Sequence, residues 1–560
     1  MKYALTITCI LLCAAAASGQ QPGTRMQKSG TTTAQDNFMY FYTEDFSTWI
    51  ANNGTHSHNP LTDASGFEWP LGSAKHLLFN EGLLICGRVD GQVRVSGTTY
   101  RAGWQAGNIL PNGFASNPMD PRHRVYMAKA MDAAQYARLS ATEQQLLRQD
   151  FEQWPVDLGA PFHDHNGDGR YTPSFNNWLS GSQATDAPLS HGTCESWYVA
   201  NDLDAQRTSR VYGSQPMGLE IQFHAWADDV NPAFENTLFM EYTVINKGRN
   251  AVEDVYLARW VDPDLGDAFD DFVGVDTSLS MMYCYNGKPS DDIYGANPPA
   301  IGIVALQNPI VPSPGDVARY DEGLREGYRN LPLSAFAFYI NGNSTYSDPS
   351  LGESYGATMM YNYARGLLWN GTSYIDPNTS ETVRFPLAGD PVANSGWVDG
   401  ILHQPGDRRM LFSSGPFSLQ PGDTQRVVTA TIVGQGADAT GSITALRNAA
   451  TAVRSAYFSD ITEAGPPPFL PSAVHLAQNH PNPVHGRTLI PFSLDRSMHV
   501  VLSVYNLLGQ RKVQLLDQRR SAGRHGIPVD VSGWTPGMYF YVLKTRSGVE
   551  CRNMLVLGGQ

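Results

Sequence analysis

A block of short alternating segments opens with Leu476-Ala477-Gln478-Asn479-His480-Pro481-Asn482-Pro483 and runs almost to Gln560. Pro481 and Pro483 fix φ and lack an amide donor, so we expect an extended, turn-rich entry rather than a helix. Strand-like runs follow at Leu489 to Leu494, Val500 to Tyr505, Gly537 to Leu543 and Met554 to Leu557. Glycine-containing turns separate these runs, and this pattern predicts a small antiparallel sandwich.

Four further motifs lie in the same block: Val504-Tyr505-Asn506-Leu507-Leu508-Gly509-Gln510, the Ala-Gly-Arg-His turn ending at His525, Gly537-Met538-Tyr539-Phe540, and Arg552-Asn553-Met554-Leu555-Val556. Together with the LxQNxPNP opening, they resemble the type A C-terminal sorting domain of the type IX secretion system, over residues 471–560. The resemblance implies an immunoglobulin-like β-sandwich, the type IX machinery as a partner, and export to the outer surface of a Gram-negative bacterium or release from it. The alternative is an ordinary terminal immunoglobulin-like module.

Charge changes sign where this block begins. Residues 471–560 carry a net charge of +6, whereas the whole chain carries −14, so the preceding residues carry −20. The proline-rich run Gly465-Pro466-Pro467-Pro468-Phe469-Leu470-Pro471 lies just ahead and predicts a stiff linker over residues 465–471. We therefore place the sorting domain at residues 472–560.

The composition of the rest of the chain is that of a β-rich extracellular protein. Charged residues are only 16% of the chain, while it has 53 Gly and 26 Tyr, which favours many turns and strands over a helical cytosolic fold. We predict a mainly β protein, with an antiparallel β-sandwich body and a few packing helices at residues 37–464. The body would be one sandwich or two, at about 37–215 and 216–464. Its acidity argues against nucleic acid and anionic membranes as partners.

The N-terminus has the pattern of a secretory signal. Lys2 precedes an apolar segment, and Ala17-Ser18-Gly19 is a plausible cleavage site. We predict a signal peptide at residues 1–19, a polar flexible lead at 20–36, and no membrane-spanning segment beyond it. Four cysteines would remain, of which Cys551 lies in the sorting domain, so the body could form one disulfide at most.

Two helices and three strands of the body are clear from their patterns. Ser140-x-x-Glu143 is a capping box that starts the first helix, and a second helix is predicted over Ser442 to Phe458. Alternation predicts strands at Leu219 to Ala225, Leu238 to Asn246 and Val252 to Trp260.

An aspartate-rich loop follows the first helix, with the sequence Asp164-His165-Asn166-Gly167-Asp168-Gly169-Arg170-Tyr171-Thr172. The D-x-N-x-D-G pattern places three side-chain oxygens around a glycine-bent loop, as a hard cation such as Ca²⁺ requires. Asp164, Asn166 and Asp168 would bind through side chains, Arg170 through its carbonyl, and Thr172 directly or through water. The alternative is an Asx-rich turn without a ligand.

The loop is not a complete EF-hand. Its twelfth position is Phe175, where an EF-hand has a bidentate Glu. We expect Asp157, Asp202 or Asp204 to close the coordination shell.

A second acidic run is Asp262-Pro263-Asp264-Leu265-Gly266-Asp267-Ala268-Phe269-Asp270-Asp271, with Asp276 beyond. Carboxylates this dense repel one another unless they are solvated or neutralised. Three interpretations stay open: a second Ca²⁺ site formed by Asp262, Asp264, Asp267, Asp270 and Asp271; a pair of glycosidase carboxylates; or an exposed acidic loop.

Three other patterns carry weaker functional interpretations. Gly352-Glu353-Ser354-Tyr355-Gly356 matches the G-x-S-x-G nucleophile elbow, but a polar loop precedes it and Ala357 to Tyr363 reads as a strand, so we treat the match as coincidence. His56 and His58 could begin a metal site, although a solvated loop is the preferred interpretation. The last pattern is a possible sugar-stacking platform of tryptophans, formed from Trp69, Trp104, Trp178, Trp197 and Trp397.

The body also resembles a family of large secreted proteins that carry this sorting domain and have no assigned activity. The matching residues include Gly66-Phe67-Glu68-Trp69-Pro70, Tyr361-Asn362-Tyr363-Ala364-Arg365-Gly366-Leu367 and Gly406-Asp407-Arg408-Arg409. We therefore expect a secreted, calcium-stabilised surface or matrix protein with a structural or adhesive role. The pattern favours a non-enzyme over an enzyme. Extracellular polysaccharide or surface proteins would be its further partners. The alternative is a secreted polysaccharide hydrolase or carbohydrate-binding protein.

Overall fold

The computed structural model describes residues 36–180, 185–188, 191–320, 323–463, 474–476, 478–479, 481–494, 498–506, 511–521, 523–545 and 548–557. The predicted signal peptide at 1–19, the lead before Asp36 and the linker at 465–471 lie outside these residues and stay predictions.

The body is built on two large antiparallel sheets. The first sheet contains, in spatial order, strands Phe38–Tyr42, Ser47–Ala51, Phe67–Glu68, His76–Val89, Val252–Pro263, Arg408–Leu419 and Ala335–Ile340, with Gln92–Gly97 also paired to His76–Val89. The second sheet contains Asp271–Asp276, Met281–Asn286, Ala300–Gln307, Thr424–Gly434, Thr237–Asn246, Leu219–Ala227, Cys194–Asn201 and Gln105–Ala106, with Tyr126–Lys129 also paired to Cys194–Asn201. The three strands predicted between Leu219 and Trp260 are confirmed, and so is the mainly β fold class.

The two sheets pack face to face around one large apolar core. Leu219, Ile221, Phe223 and Ala225 alternate along one strand of the second sheet and belong to the same buried cluster as Leu83 and Ile85 of the first. Both sheets take strands from either side of residue 216. Whether the body is one sandwich or two, at about 37–215 and 216–464, stays a prediction.

Four short hairpins lie outside the two large sheets of the described body. They are Phe162–His163 with Ala187–Pro188, Ile310–Tyr320 with Gly323–Asn330, Tyr374–Ile375 with Thr382–Val383, and His58–Asn59 with Ala64–Ser65. The α-helices are Ala133–Arg138, Ala141–Glu152, Phe175–Leu179, Ala205–Tyr212, Ser354–Ala364 and Ala439–Glu463, and short 3-10 turns occur at Pro121–His123, Val156–Leu158, Pro232–Phe234 and Ala268–Asp270.

Both helices predicted from the sequence are present. Ser140 caps Ala141–Glu152 through the expected capping box with Glu143. Helix Ala439–Glu463 buries Ile443, Leu446, Ala450 and Val453 against the face of the second sheet that points away from the first. The spacing of the apolar residues in the sequence therefore predicts the buried face of this helix correctly.

Helix Ser354–Ala364 corrects the sequence analysis, which expected a strand at Ala357 to Tyr363. Eight of its eleven residues are buried. Because the helix is covered on nearly all sides, its apolar residues show no helical period. Its Tyr363 stacks on Tyr339, which accepts a hydrogen bond from Trp260 of the first sheet.

The position of this helix follows from strand alternation. Trp260 points to the opposite face from its neighbour Arg259, and Arg259 donates to Tyr242 of the second sheet. The helix therefore lies on the outer face of the first sheet, and the body has the layer order helix, sheet, sheet, helix.

Three cysteines lie in the described part of the body, and Cys86, Cys194 and Cys284 are all buried and free. The single disulfide that the sequence allowed is therefore not formed among them. In the part of the chain that the structure describes, no helix is long and apolar enough to cross a membrane.

The C-terminal residues form a separate two-sheet sandwich. One sheet contains Val474–Leu476, Arg487–Leu494 and Gly523–Asp530, and the other contains Arg511–Arg520, Met498–Asn506, Gly537–Thr545 and Gly548–Val556. Their facing sides share one buried cluster that includes Ile490, Leu502, Val504 and Tyr541. This arrangement confirms the predicted C-terminal β-sandwich.

Candidate functional site

The predicted calcium loop is folded around its own side-chain oxygens. Asp164 Oδ1 accepts from the amide of Gly167 at 2.8 Å, and its Oδ2 accepts from the amide of Gly169 at 2.7 Å. Asn166 and Asp168 accept from backbone amides in the same way. Each carboxylate oxygen has two lone pairs, so these bonds hold the oxygens on one loop and leave capacity for a cation.

Asp186 lies against this loop, and the sequence analysis missed it. Its Oδ1 accepts from the His165 amide at 2.9 Å, and its Oδ2 accepts from the Thr172 amide at 2.7 Å and hydroxyl at 2.8 Å. Burial acts to raise the pKa of Asp186, but the hydrogen bonds from Thr172 and His165 outweigh it and lower that pKa. Asp186 therefore adds a charged carboxylate beside the three predicted oxygen donors.

The three aspartates expected to close the shell are engaged elsewhere. Asp157 pairs with Arg122, and Asp204 caps helix Ala205–Tyr212. Asp202 is buried and accepts from the amides of Met217, Gly218 and Leu219. Asp186 is better placed than any of them, because it contacts both ends of the loop.

The second acidic run divides into two groups. Asp262 and Asp264 converge with Asp407, and one oxygen of each lies within 4.8 Å of the others. The strand register explains why these three aspartates converge. Val261 pairs with Met410, and Asp262, Asp264 and Asp407 lie just beyond this pair, at the same end of the two strands. Asp407 is not in the acidic run, although the sequence analysis noted it in the Gly406-Asp407-Arg408-Arg409 motif.

One arginine lies among these carboxylates. Arg409 Nε is 3.2 Å from Asp262 Oδ1 and 3.9 Å from Asp348 Oδ1, and its Nη1 is 3.0 Å from Asp407 Oδ1. Burial raises the pKa of Asp262 well above its ordinary value, against the effect of Arg409, and Asp264 and Asp407 raise it further. Three carboxylates therefore share one guanidinium, with Asp264 beside them, so a further cation would reduce the repulsion within the group.

The remaining predicted ligands lie apart from this group. Asp270 is 3.6 Å from Lys288 Nζ, and Asp271 is fully buried and accepts from the Leu265 amide. Asp267 caps the turn Ala268–Asp270. The interpretation of the run as an exposed acidic loop is wrong for Asp262, Asp270 and Asp271, because all three are buried.

Asp270 is expected to make the stability of the chain depend on pH. Burial and the neighbouring Asp291 raise the pKa of Asp270 to about 6, against Lys288. The folded state then favours the protonated carboxyl, so this contribution to stability is present below about pH 4 and lost as the pH rises through about 6. In chelator, we expect Asp270→Asn to reduce the loss of unfolding free energy between pH 4 and 7 by on the order of 2 kcal/mol.

Urea denaturation at pH 4, 5, 6 and 7 measures this difference. Asp316→Asn, at an exposed position, is the matched control and should keep the wild-type pH profile. A parallel profile for Asp270→Asn and wild type would contradict the prediction.

The residues proposed for the other activities do not form the required sites. Ser354 is the first residue of helix Ser354–Ala364 but follows a loop rather than a strand, so the nucleophile elbow is not formed. Trp69, Trp104, Trp197 and Trp397 are buried, which leaves Trp178 alone partly exposed among the five proposed stacking residues. His56 is fully buried, so the solvated-loop interpretation is wrong for it.

Two solved structures show remote likenesses to the chain. One is to a structure described as "Polysaccharide Lyase BACCELL_00875", with 10% identity, a TM-score of 0.18, and coverage of 63% of this chain and 36% of that one. Another is to latent PorU from Porphyromonas gingivalis, with 9% identity, a TM-score of 0.14, and coverage of 65% and 32%. The chain thus spans about a third of each, and at these TM-scores neither likeness indicates a shared fold. No curated protein matches the chain.

The C-terminal sandwich does match a known family. Residues 479–556 match the family described as "Secretion system C-terminal sorting domain", and these residues contain every member of the buried two-sheet core described above except Leu476. The resemblance inferred from the LxQNxPNP opening and the motifs after it is confirmed. Residues 479–556 are therefore a C-terminal sorting domain that engages the type IX secretion machinery, and the protein is secreted to the cell surface or beyond it.

Proposed function

We propose that the body is a calcium-stabilised, non-enzymatic structural or adhesive unit that the sorting domain delivers to the outer surface of a Gram-negative bacterium. The observation that carries the proposal is the convergence of Asp262, Asp264 and Asp407 around a single arginine. A hard divalent cation takes carboxylate oxygens as ligands and would relieve their mutual repulsion. Extracellular polysaccharide and surface proteins are the partners that such a unit would contact.

Burial favours an ion over a catalytic carboxylate pair at this position. Asp262 is 2% exposed and lies 3.2 Å from Arg409 Nε, so its carboxylate is not presented at the surface to a sugar ring. A glycosidase needs both carboxylates at the surface of a cleft, flanking the bond to be cleaved. The Asp164–Thr172 loop, with Asp186 beside it, supports a second and more exposed calcium site.

Each calcium site is expected to raise the unfolding free energy of the full chain by about 2–3 kcal/mol when the calcium concentration is a hundredfold above the dissociation constant of that site. Thermal melting in calcium and in chelator measures this gain. Asp264→Asn should lose part of the gain while being equal to or more stable than wild type in chelator, because the substitution removes one repelling charge. Asp168→Ala should lose the part that belongs to the exposed loop.

Asp316→Asn is the control for both variants and should keep the full calcium response. Identical melting curves in calcium and chelator would contradict the calcium sites. Release of soluble reducing ends from an insoluble polysaccharide, lost in Asp262→Asn, would instead make the protein a hydrolase.

A further inference from the structure

Two histidines and a glutamate meet on the outer face of the second sheet, in a group that the calcium proposal does not use. They are His191, Glu195 and His224, and one donor atom of each lies within 4.8 Å of the other two. Glu195 lies on strand Cys194–Asn201 and His224 on strand Leu219–Ala227, while His191 lies in the loop just before the first of these.

The strand register places the two buried members as diagonal neighbours. Glu195 pairs with Trp226 and His224 pairs with Trp197, so Glu195 and His224 are one diagonal step apart on the same face. His224 Nε2 is 3.0 Å from Glu195 Oε2, and both side chains are about 5% exposed or less.

The loop backbone fixes the orientation of the carboxylate. Glu195 Oε1 accepts from the amide of His191 at 2.5 Å and from that of Gly192 at 3.3 Å. These bonds occupy one oxygen and aim the other at His224. Carboxylates that bind metal ions are commonly oriented in this way by hydrogen bonds to the oxygen that does not bind.

A simple buried ion pair would need only one of the histidines. The ring of His191 is nevertheless 5.2 Å from that of His224, and the indole of Trp226 lies 4.9 Å and 5.1 Å from the two rings. The second imidazole is thus part of the same small group, walled on one side by an aromatic ring. His191 is only partly buried, so the group reaches solvent on its loop side.

We propose that His191, Glu195 and His224 form a binding site for a borderline divalent metal ion, with Zn²⁺ as its natural ligand. Two imidazole nitrogens and one carboxylate oxygen suit zinc and not calcium, which takes oxygen ligands. Donor atoms in tetrahedral zinc sites lie about 3.3 Å apart, given bonds of about 2.0–2.1 Å. Because His191 lies in a loop, its imidazole can move the short distance that brings the three donor atoms to this spacing. Water or a donor from a bound partner takes the fourth coordination position.

Cobalt substitution in the full-length chain tests the site. The chain is stripped with chelator, returned to calcium so that carboxylate sites are filled, and titrated with Co²⁺ while visible absorption is followed. Wild type should develop the visible absorption of four-coordinate cobalt, complete at one equivalent of Co²⁺. This absorption should disappear when added Zn²⁺ displaces the cobalt. His191→Gln should bind at least tenfold more weakly.

His58→Gln is the matched control, because His58 also pairs with a carboxylate, Asp63, at 3.0 Å, but among the described residues it belongs to no group of three possible metal ligands. It should bind cobalt as wild type does. Since Glu195 is buried and its substitution could unfold the body, the decisive variant is His191→Gln, whose folding is checked by its melting curve in calcium. No cobalt absorption in wild type, or equal binding by wild type and His191→Gln, would overturn the proposal.

Discussion

Replacing Arg259 with methionine is expected to lower the unfolding free energy of the body by about 3–5 kcal/mol, because it leaves a buried glutamate without its counter-charge. Arg259 Nη2 donates to Glu81 Oε2 at 2.5 Å, and both side chains are at most 2% exposed between the two sheets. A carboxylate stranded there loses its partner without regaining water, and the loss is far larger than that of a surface pair.

The pair belongs to a chain of polar contacts that crosses the core. Ser57 donates to Glu81, and Arg259 also donates to the hydroxyl of Tyr242. That hydroxyl lies 3.1 Å from His56 Nδ1, and His56 Nε2 lies 3.0 Å from the Tyr198 hydroxyl. Burial and the nearby Arg259 hold the pKa of His56 well below its ordinary value, so the imidazole is neutral and links the two tyrosines.

Arg426→Met provides the matched control. Arg426 pairs with Glu241 at 3.2 Å on the partly exposed outer face of the second sheet, where such a pair contributes about 1 kcal/mol or less. Replacing Glu81 and Arg259 together with leucine and methionine should recover much of the loss, since no charge is then stranded. Urea denaturation followed by circular dichroism measures all three, and equal losses for Arg259→Met and Arg426→Met would contradict the prediction.

This polar network could not be predicted from local patterns in the sequence. His56 lies in a loop with many glycines and asparagines, and nothing local distinguishes it from a solvated residue. It is buried because its backbone bridges to Glu81 and its ring meets Tyr198 and Tyr242. Those contacts depend on strand pairings between distant segments, which periodicity does not encode.

Local patterns were reliable where apolar residues line one face of an element. Strand Leu219–Ala227 is buried on both faces, but apolar and polar residues alternate along it from Leu219 to His224, so its period shows in the sequence. Helix Ala439–Glu463 buries one apolar stripe, so its helical spacing shows as well. Helix Ser354–Ala364 is buried on nearly all sides and was mistaken for a strand. Strand Arg511–Arg520 was missed for the opposite reason, because most of its residues are polar and exposed.

The candidate ion sites were predictable only in part. The D-x-N-x-D-G loop is local, and its side chains do point their oxygens at the loop's own amides. Asp407 and Asp186 each come from another segment of the chain, and only the tertiary fold brings them to Asp262 and to Thr172. Aspartate density indicated where a site could form, but not which carboxylates would meet.

Deleting residues 472–560 is expected to abolish delivery of the body to the cell surface and to leave it in the periplasm of its host. These residues contain the matched sorting domain, and the body has its own core, which shares no residue with that of the domain. The body should therefore fold without the domain but lack the signal that the secretion machinery binds. Immunoblotting of the periplasmic, surface and medium fractions measures the loss.

A matched pair of point variants separates recognition of a folded domain from recognition of a sequence. Leu502 is fully buried in the sorting domain, whereas Leu489 is 45% exposed. An aspartate at position 502 places an unpaired charge in the core and should cost about 3–5 kcal/mol, a large fraction of the 5–15 kcal/mol that stabilises a typical domain. Leu502→Asp should therefore mimic the deletion, and Leu489→Asp should be exported normally. Normal export of both variants would mean that the machinery reads an unfolded sequence and not the sandwich.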